Sequence, residues 1–167
     1  MPSKEWNKYS PEEIRNCLLE LSFNFLNYSG SAFSKKESKA VSDIVLYYAG
    51  MTDKWLEISG HSNNIFKRRF VKKLPIGNIN IKSAGGGLRV FMEAILPALV
   101  IGNTVTVTNF SLNRKKTAEF YDLLNKSRIP GGTINIIGEL DILSLKWSSP
   151  EIPGNIEKYT ITKEILY

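Results

Sequence analysis

Residues 85–87 are a run of three glycines that could form an anion-binding site, because they open a predicted helix directly after a predicted strand. Backbone amides at such a helix start can cradle an anion, and Arg89 is a nearby cation that would assist. The run is not the GxGxxG dinucleotide fingerprint, because Val90 stands where the third glycine belongs. A plain tight turn is therefore the expectation, with Gly85, Gly86, Gly87 and Arg89 as anion-site candidates in the alternative.

Two basic clusters form the second candidate site. They consist of Lys67, Arg68, Arg69, Lys72 and Lys73, and of Arg114, Lys115 and Lys116. The formal net charge of +6 suffices to attract a polyanion weakly but does not define a nucleic-acid binder. Neither cluster is expected to be interleaved with the exposed aromatic residues that a base-stacking platform needs. Solvated surface is therefore expected, and contact with RNA or DNA is the alternative.

Nucleophilic and metal chemistry are not expected. The sole cysteine, Cys17, falls on the apolar stripe of the first predicted helix, which predicts a buried thiol and excludes an internal disulfide. The sole histidine, His61, lies in a polar turn without a second histidine or clustered carboxylates nearby, which argues against a metal site or a histidine base.

The chain has the length and composition of one globular domain, with 167 residues of which 43% are hydrophobic. Its longest apolar run, residues 94–101, is far too short to span a membrane, and the amino terminus is polar rather than a signal peptide. We therefore expect an intracellular protein of the cytoplasm or nucleus.

The first third of the chain, residues 1–54, predicts two helices. Ser10, Pro11 and Glu13 form a capping box with proline at the first helical position, so a helix should run to about Leu26. The residues expected to be buried there are Ile14, Cys17, Leu18, Leu21 and Phe25. A second helix is predicted over residues 36–49 with Gly50 as its stop. Its inward residues should be Ala40, Val41, Ile44, Val45 and Tyr48.

The remainder predicts an α/β unit. Residues 55–73 are predicted to form a loose hairpin that follows the two helices. In residues 74–167, strands and helices are predicted to alternate. Strands are predicted at 78–83, 103–108, 133–137 and near 159–162, and helices at 88–100 and from a Ser111 cap to about Lys126. The latter helix should pack on the sheet through Ala118, Phe120, Leu123 and Leu124. Residues 140–147 fit either a strand or a helix. This alternation is typical of a parallel sheet with helical crossovers.

Several strings occur in the order in which the aldehyde dehydrogenase superfamily carries them. They are Trp6 with Ser10 and Arg15, the helix end YYAGMTDK at 47–54, PIG at 75–77, LPALVIGNTVTV at 96–107 and IPGGTINII at 129–137. Over most of its length the chain thus resembles the amino-terminal, cofactor-binding part of that family. The resemblance implies amino-terminal helices followed by a Rossmann-like parallel sheet with flanking helices, in a truncated form.

The resemblance also implies that the family's chemistry is lost. Gly85 stands where the family has the asparagine that donates to the oxyanion, and loss of such a donor costs about two to three orders of magnitude in rate. Thr108 and Ser111 stand where its lysine and glutamate hold the adenosine ribose. Residues 161–165 occupy the place of its FTGST turn, and its cysteine nucleophile and glutamate base would lie beyond Tyr167. The sequence therefore predicts a pseudoenzyme without cofactor, metal or small-molecule substrate.

The leading functional hypothesis is a protein-interaction module, either an adaptor or a self-associating scaffold. Its candidate contact residues are Phe110, Tyr159, Ile161, Ile165 and Leu166. Core packing is the alternative for Phe110, Tyr159 and Ile161. The second hypothesis is polyanion binding by the basic clusters. The third is a residual dinucleotide-binding subunit, or a subunit that completes an enzyme in trans.

Overall fold

The computed structural model of the chain describes residues 5–52, 69–82, 86–108, 110, 112–137 and 160–166. A short 3₁₀ turn, Trp6–Lys8, precedes the helices. The helices of the described part are α1 (Pro11–Leu26), α2 (Lys35–Ala49), α3 (Leu88–Leu99) and α4 (Arg114–Lys126). Its strands are β1 (Arg69–Pro75), β2 (Asn78–Lys82), β3 (Thr104–Thr108), β4 (Ile134–Ile137) and β5 (Thr160–Leu166).

Helix α1 begins and ends as the sequence predicts. The Ser10 hydroxyl accepts the Glu13 amide at 3.2 Å, and the Glu13 carboxylate accepts the Ser10 amide at 2.6 Å. These two bonds satisfy donors that a helix start leaves without intrahelical partners. All five residues predicted to face inward from α1 are buried, which confirms this prediction.

Helix α2 packs against α1, with a buried serine pair between the two helices. It starts one residue earlier than expected, because Ser34 caps it by accepting the Glu37 amide at 3.1 Å, and Gly50 ends it. Between the helices, the Ser22 hydroxyl donates to the Ser42 carbonyl at 3.0 Å. Of the predicted inward residues Val41, Val45 and Tyr48 are buried, whereas Ala40 and Ile44 are only partly so.

Strands β2, β3 and β4 form a parallel sheet in that order, with α3 and α4 as the crossovers. Asn78 pairs with Thr104 and Val105 pairs with Ile134. Strands β3 and β4 start one residue later than the sequence predicts, and the predicted last residue of β2, position 83, lies outside the described residues. The Rossmann-like α/β architecture is therefore confirmed.

The two faces of this sheet differ in chemistry. Strand alternation places Ile79, Ile81, Val105, Val107 and Ile134 on one face, where they join the hydrophobic core. The other face carries asparagine and threonine, and Asn78 bonds there to the hydroxyls of Thr104 at 3.1 Å and Thr106 at 3.2 Å. A parallel sheet is usually apolar on both faces, so this polar face is a departure from the rule.

Helix α4 differs from its prediction at two positions. Its cap is Asn113, whose side chain accepts the Lys116 amide at 2.8 Å, whereas the sequence indicated Ser111, which lies outside the described residues. Ala118 was expected to pack inward but is exposed, because two residues along a helix turn it about 200° away from the buried Phe120. Leu123 and Leu124 are buried as predicted.

Strand β5 differs from the prediction that a strand near 159–162 belongs to the parallel sheet. It pairs antiparallel with β1, from Arg69 opposite Leu166 to Pro75 opposite Thr160, and forms a separate two-stranded sheet. Residues 161–165 therefore do not extend the parallel sheet. The strand is also longer than the predicted 159–162. The first arm and turn of the predicted 55–73 hairpin lie outside the described residues, as do residues 140–147.

Candidate interaction surface

The second basic cluster is largely engaged within the chain. The Lys116 ammonium contacts both carboxylate oxygens of Glu37 at 3.0 Å and lies 5.6 Å from the centre of the Phe33 ring. Lys115 donates to the Ser31 hydroxyl. Within the described ranges, Arg114 alone of the three has no such partner. Two of the three candidate polyanion contacts thus already stabilise the junction of α4 with the α1–α2 connection.

The first basic cluster is only partly described. Arg69, Lys72 and Lys73 lie on β1, and Lys67 and Arg68 fall outside the described residues. Contact of this cluster with a polyanion remains a prediction.

The glycine turn before α3 offers little for anion binding. Gly86 has a φ of +107°, and Gly87 caps α3 without a side-chain hydrogen bond. Arg89 pairs with Glu93 at 2.9 Å on the same helix. Gly85 lies outside the described residues. The one cation proposed for this site is therefore already paired.

Thr108 ends β3, where the resemblance places the family's ribose-binding lysine. It is buried, and its hydroxyl has no hydrogen-bond partner among the residues that the structure describes. A threonine supplies no positive charge to this edge of the sheet. Ser111, the other ribose-position residue, falls outside the described ranges.

Cys17 is a buried thiol, as predicted. Its Sγ lies 3.7 Å from the Arg128 carbonyl oxygen, and burial raises the pKa of the thiol to about 11. Only a thiolate is a good nucleophile, so Cys17 is chemically inert at neutral pH. No group of three or more metal-ligating residues occurs in the described part of the chain, which does not include His61. No helix described here is long and apolar enough to cross a membrane.

The structure places one of the candidate protein contacts, Phe110, in the core. Phe110 is buried and stacks on Phe91 with ring centres 4.1 Å apart, so it belongs to the core. Ile161, Ile165 and Leu166 lie on β5, and Tyr159 falls outside the described residues. The contact role proposed for Phe110 is thus replaced by the core role that was its alternative.

A different apolar surface is exposed on α1. Leu19, Phe23 and Leu26 retain 39%, 66% and 58% of their accessible surface. Spaced at i, i+4 and i+7, they form one ridge along the helix, which we call the α1 ridge. This ridge was not predicted from the sequence, although α1 carries more apolar residues than one buried stripe can hold. This second stripe was the signal.

A groove of about 500 Å³ runs beside the α1 ridge. It is lined by Leu19, Glu20, Phe23, Asn24, Lys126 and Arg128. Arg128 binds the Glu20 carboxylate through Nη2 and through Nε, the latter at 2.9 Å, and this hydrogen bond and the charge of Glu20 raise the pKa of the guanidinium. The ion pair defines one wall of the groove.

A second, polar cleft of about 320 Å³ continues from this groove between the end of α1 and α4. The two cavities share Asn24 and Lys126, and the cleft adds Glu119 and Asp122. Lys126 pairs with Asp122 at 2.6 Å. The hydrogen bond and charge of Asp122 raise the pKa of Lys126, and the charge of Glu119 adds to this effect. The cleft therefore favours positive charge.

Solved structures that share this fold include two dehydrogenases and proline utilization A. A salicylaldehyde dehydrogenase from Pseudomonas putida is 18% identical, with a TM-score of 0.61 over 80% of this chain and 30% of its own. An indole-3-acetaldehyde dehydrogenase is 15% identical, with a TM-score of 0.66 over 80% of this chain and 34% of its own. Proline utilization A from Bradyrhizobium japonicum is 16% identical, with a TM-score of 0.67 over 80% of this chain and 15% of its own.

The fold is therefore aldehyde dehydrogenase-like. The chain spans only 15% to 34% of the length of these solved structures, so most of each has no counterpart in the 167 residues. No protein-family model and no curated protein matches the sequence.

Proposed function

We propose that this aldehyde dehydrogenase-like domain is non-catalytic and binds another protein through the α1 ridge. The observation that carries the proposal is the exposure of three large apolar side chains in one line on a helix whose opposite face is already buried. Exposed apolar surface of this kind, next to a groove with a polar wall, is typical of a protein contact.

The ridge fits the apolar face of a partner helix. Residues 19 to 26 rise by about 10 Å along α1, which is two helical turns and the usual length of an i, i+4, i+7 anchor set. Phe23 is the most exposed of the three, at 66%, and lies between the other two. Burial of one such side chain contributes about 1.5–3 kcal/mol, so Phe23 is expected to be the main anchor.

Three observations support the absence of catalysis. The chain covers only 34% of the indole-3-acetaldehyde dehydrogenase structure and 30% of the salicylaldehyde dehydrogenase structure. Cys17 is buried, with a raised pKa. By the resemblance, Gly85 and Thr108 replace side chains that the family uses for the oxyanion and the ribose.

The test identifies a partner protein, reconstitutes its complex with the purified chain, and measures whether substitutions in the α1 ridge weaken that binding. Tagged wild-type chain is used for affinity purification with nuclease, each recovered protein is purified, and its binding is measured by calorimetry. Phe23→Ser with Leu26→Ser should weaken direct binding more than tenfold. Tyr47→Ser, at a residue that is 56% exposed on α2, is the matched control and should leave it unchanged.

Two results would overturn the proposal. One is a reconstituted partner that binds the Phe23→Ser, Leu26→Ser variant as tightly as the wild type. The other is a wild-type dimer in light scattering that the ridge variant dissociates, since the ridge would then be occupied by a second copy of the chain.

A further inference from the structure

The cleft beside the α1 ridge is rich in unused hydrogen-bond acceptors. Asn24 donates its side-chain amide to the Ser127 hydroxyl at 2.9 Å, and Asn27 donates its own to the Phe23 carbonyl at 2.9 Å. Both side chains keep their amide oxygens as acceptors. Glu119 forms no ion pair within the described residues and acts on Lys126 only through its charge.

The other carboxylate of the cleft is available by exchange. Asp122 is paired with Lys126, but both side chains are more than half exposed, at 52% and 61%. An exposed i, i+4 pair of this kind contributes little stability, so an incoming cation displaces Lys126 at small cost. Lys126 then moves into solvent on its flexible stem.

This negative cleft stands out on a chain whose formal net charge is +6. It continues directly from the apolar groove, since both cavities include Asn24. A partner segment that covers the ridge therefore brings its next side chains to the cleft. Because guanidinium groups bind carboxylates and amide oxygens through a planar fork of donors, arginine fits this cleft better than lysine.

We propose that the partner of the α1 ridge is a basic amphipathic helix, with an arginine beside its apolar face that enters the cleft and binds Glu119 and Asp122. The inference rests on the proposed function, since it names the chemistry of the segment that the ridge accepts. The apolar side chains supply most of the affinity, and the arginine selects the partner and fixes its direction along α1.

A displayed library of random helical peptides, selected on the purified chain, tests the inference. Peptides from the wild type should carry apolar residues at i, i+4 and i+7 with an arginine at a fixed distance from them. Selection on Glu119→Lys should remove the arginine and enrich aspartate or glutamate at that position. Asp43→Lys, the same charge change on α2, should select arginine as the wild type does.

One selected peptide then gives the energetic test. Its arginine-to-glutamine form should bind the wild type about tenfold more weakly, which corresponds to about 1.4 kcal/mol. Glu119→Gln should weaken the arginine peptide to the same extent and leave the glutamine peptide unchanged. Thermal melts confirm that each variant is folded.

The outcomes separate the two claims. If Phe23→Ser abolishes selection but Glu119→Lys does not change the selected charge, the cleft assignment is overturned and the ridge stands. If the peptides selected on the wild type also bind Phe23→Ser with equal affinity, the ridge itself is overturned, and the cleft assignment falls with it.

Discussion

At the scale of single residues, Arg128 combines three roles at the end of α4. Its φ of 58° is in the left-handed region, which costs a residue with a Cβ about 1–2 kcal/mol. The following amide, of Ile129, donates to the Leu124 carbonyl at 3.1 Å, which is the bond that ends a helix in this way. The Arg128 side chain pairs with Glu20, and its carbonyl accepts from the Cys17 thiol.

We expect Arg128→Gly to be more stable than Arg128→Ala by about 1 kcal/mol, because both lose the exposed ion pair but only glycine adopts the left-handed conformation without strain. Urea denaturation of the two variants measures the difference. At Asp43, inside α2, the order should be reversed, with the alanine variant more stable than the glycine variant. An alanine variant at position 128 as stable as the glycine variant would contradict the assigned conformation.

The Cys17 thiol should make stability fall at high pH. Burial raises its pKa from 9.0 to about 11, so the folded state holds a proton that the unfolded state releases. The stabilisation is present in full below pH 9 and is lost as the pH rises towards 11. Wild type should therefore lose more stability than Cys17→Ala over this interval in urea denaturation. Equal losses would exclude a buried neutral thiol.

At the scale of elements, Asn103 joins three segments. It is fully buried, its side-chain oxygen accepts the Gly77 amide at 2.9 Å, and its side-chain nitrogen donates to the Ala98 carbonyl at 3.2 Å. Gly102 precedes it with a φ of +94°, where any side chain would be strained. The end of α3, the start of β3 and the turn between β1 and β2 are thus held by one amide.

Asn103→Ala should destabilise the domain by about 2–3 kcal/mol, because it leaves the Gly77 amide without its acceptor. The Ala98 carbonyl loses less, since it also accepts the Asn103 backbone amide at 3.1 Å. The midpoint of urea unfolding measures the change. Asn16→Ala, at an exposed position of α1, is the control and should stay within about 0.5 kcal/mol of the wild type.

Elements with local signals were predicted from the sequence, and those set by distant contacts were not. The Ser10 capping box and Gly50 act within one turn of the helices that they bound, so α1 and α2 were placed to within a residue. The partner of β1 lies some ninety residues away, and no local pattern specifies it. The α1 ridge was missed for a related reason, since exposure of Phe23 depends on what the rest of the chain leaves uncovered.

At the scale of the whole molecule, the positive charge is spread over a surface on which several cations are already paired. Lys116 and Arg128 pair with Glu37 and Glu20, and Lys126 pairs with Asp122. The chain carries a net charge of +6, but its local attraction for a polyanion is therefore weaker than its 22 basic residues would indicate. Association with nucleic acid should be governed by long-range attraction, which salt screens.

We expect weak, steeply salt-dependent binding to single-stranded RNA, with little retained at physiological ionic strength. Fluorescence anisotropy with a labelled 20-nucleotide RNA at increasing salt measures this. Arg114→Gln with Lys115→Gln should reduce the low-salt affinity, and Lys39→Gln on α2 should serve as the control. Binding that falls steeply with salt but is still tight at physiological ionic strength would instead support the nucleic-acid hypothesis.

The pairing of β1 with β5 also has a topological consequence. Pro75 and Thr160 are opposite one another, so their Cα atoms are about 5 Å apart, and the residues from 76 to 159 leave and return at almost the same point. Segments with adjacent ends can be inserted into the loop of a host protein with little distortion of either partner. The parallel sheet and its two crossover helices thus begin and end at one pair of adjacent strands, and a transplant would have to carry α1 and α2 as well, because these two helices share the same hydrophobic core.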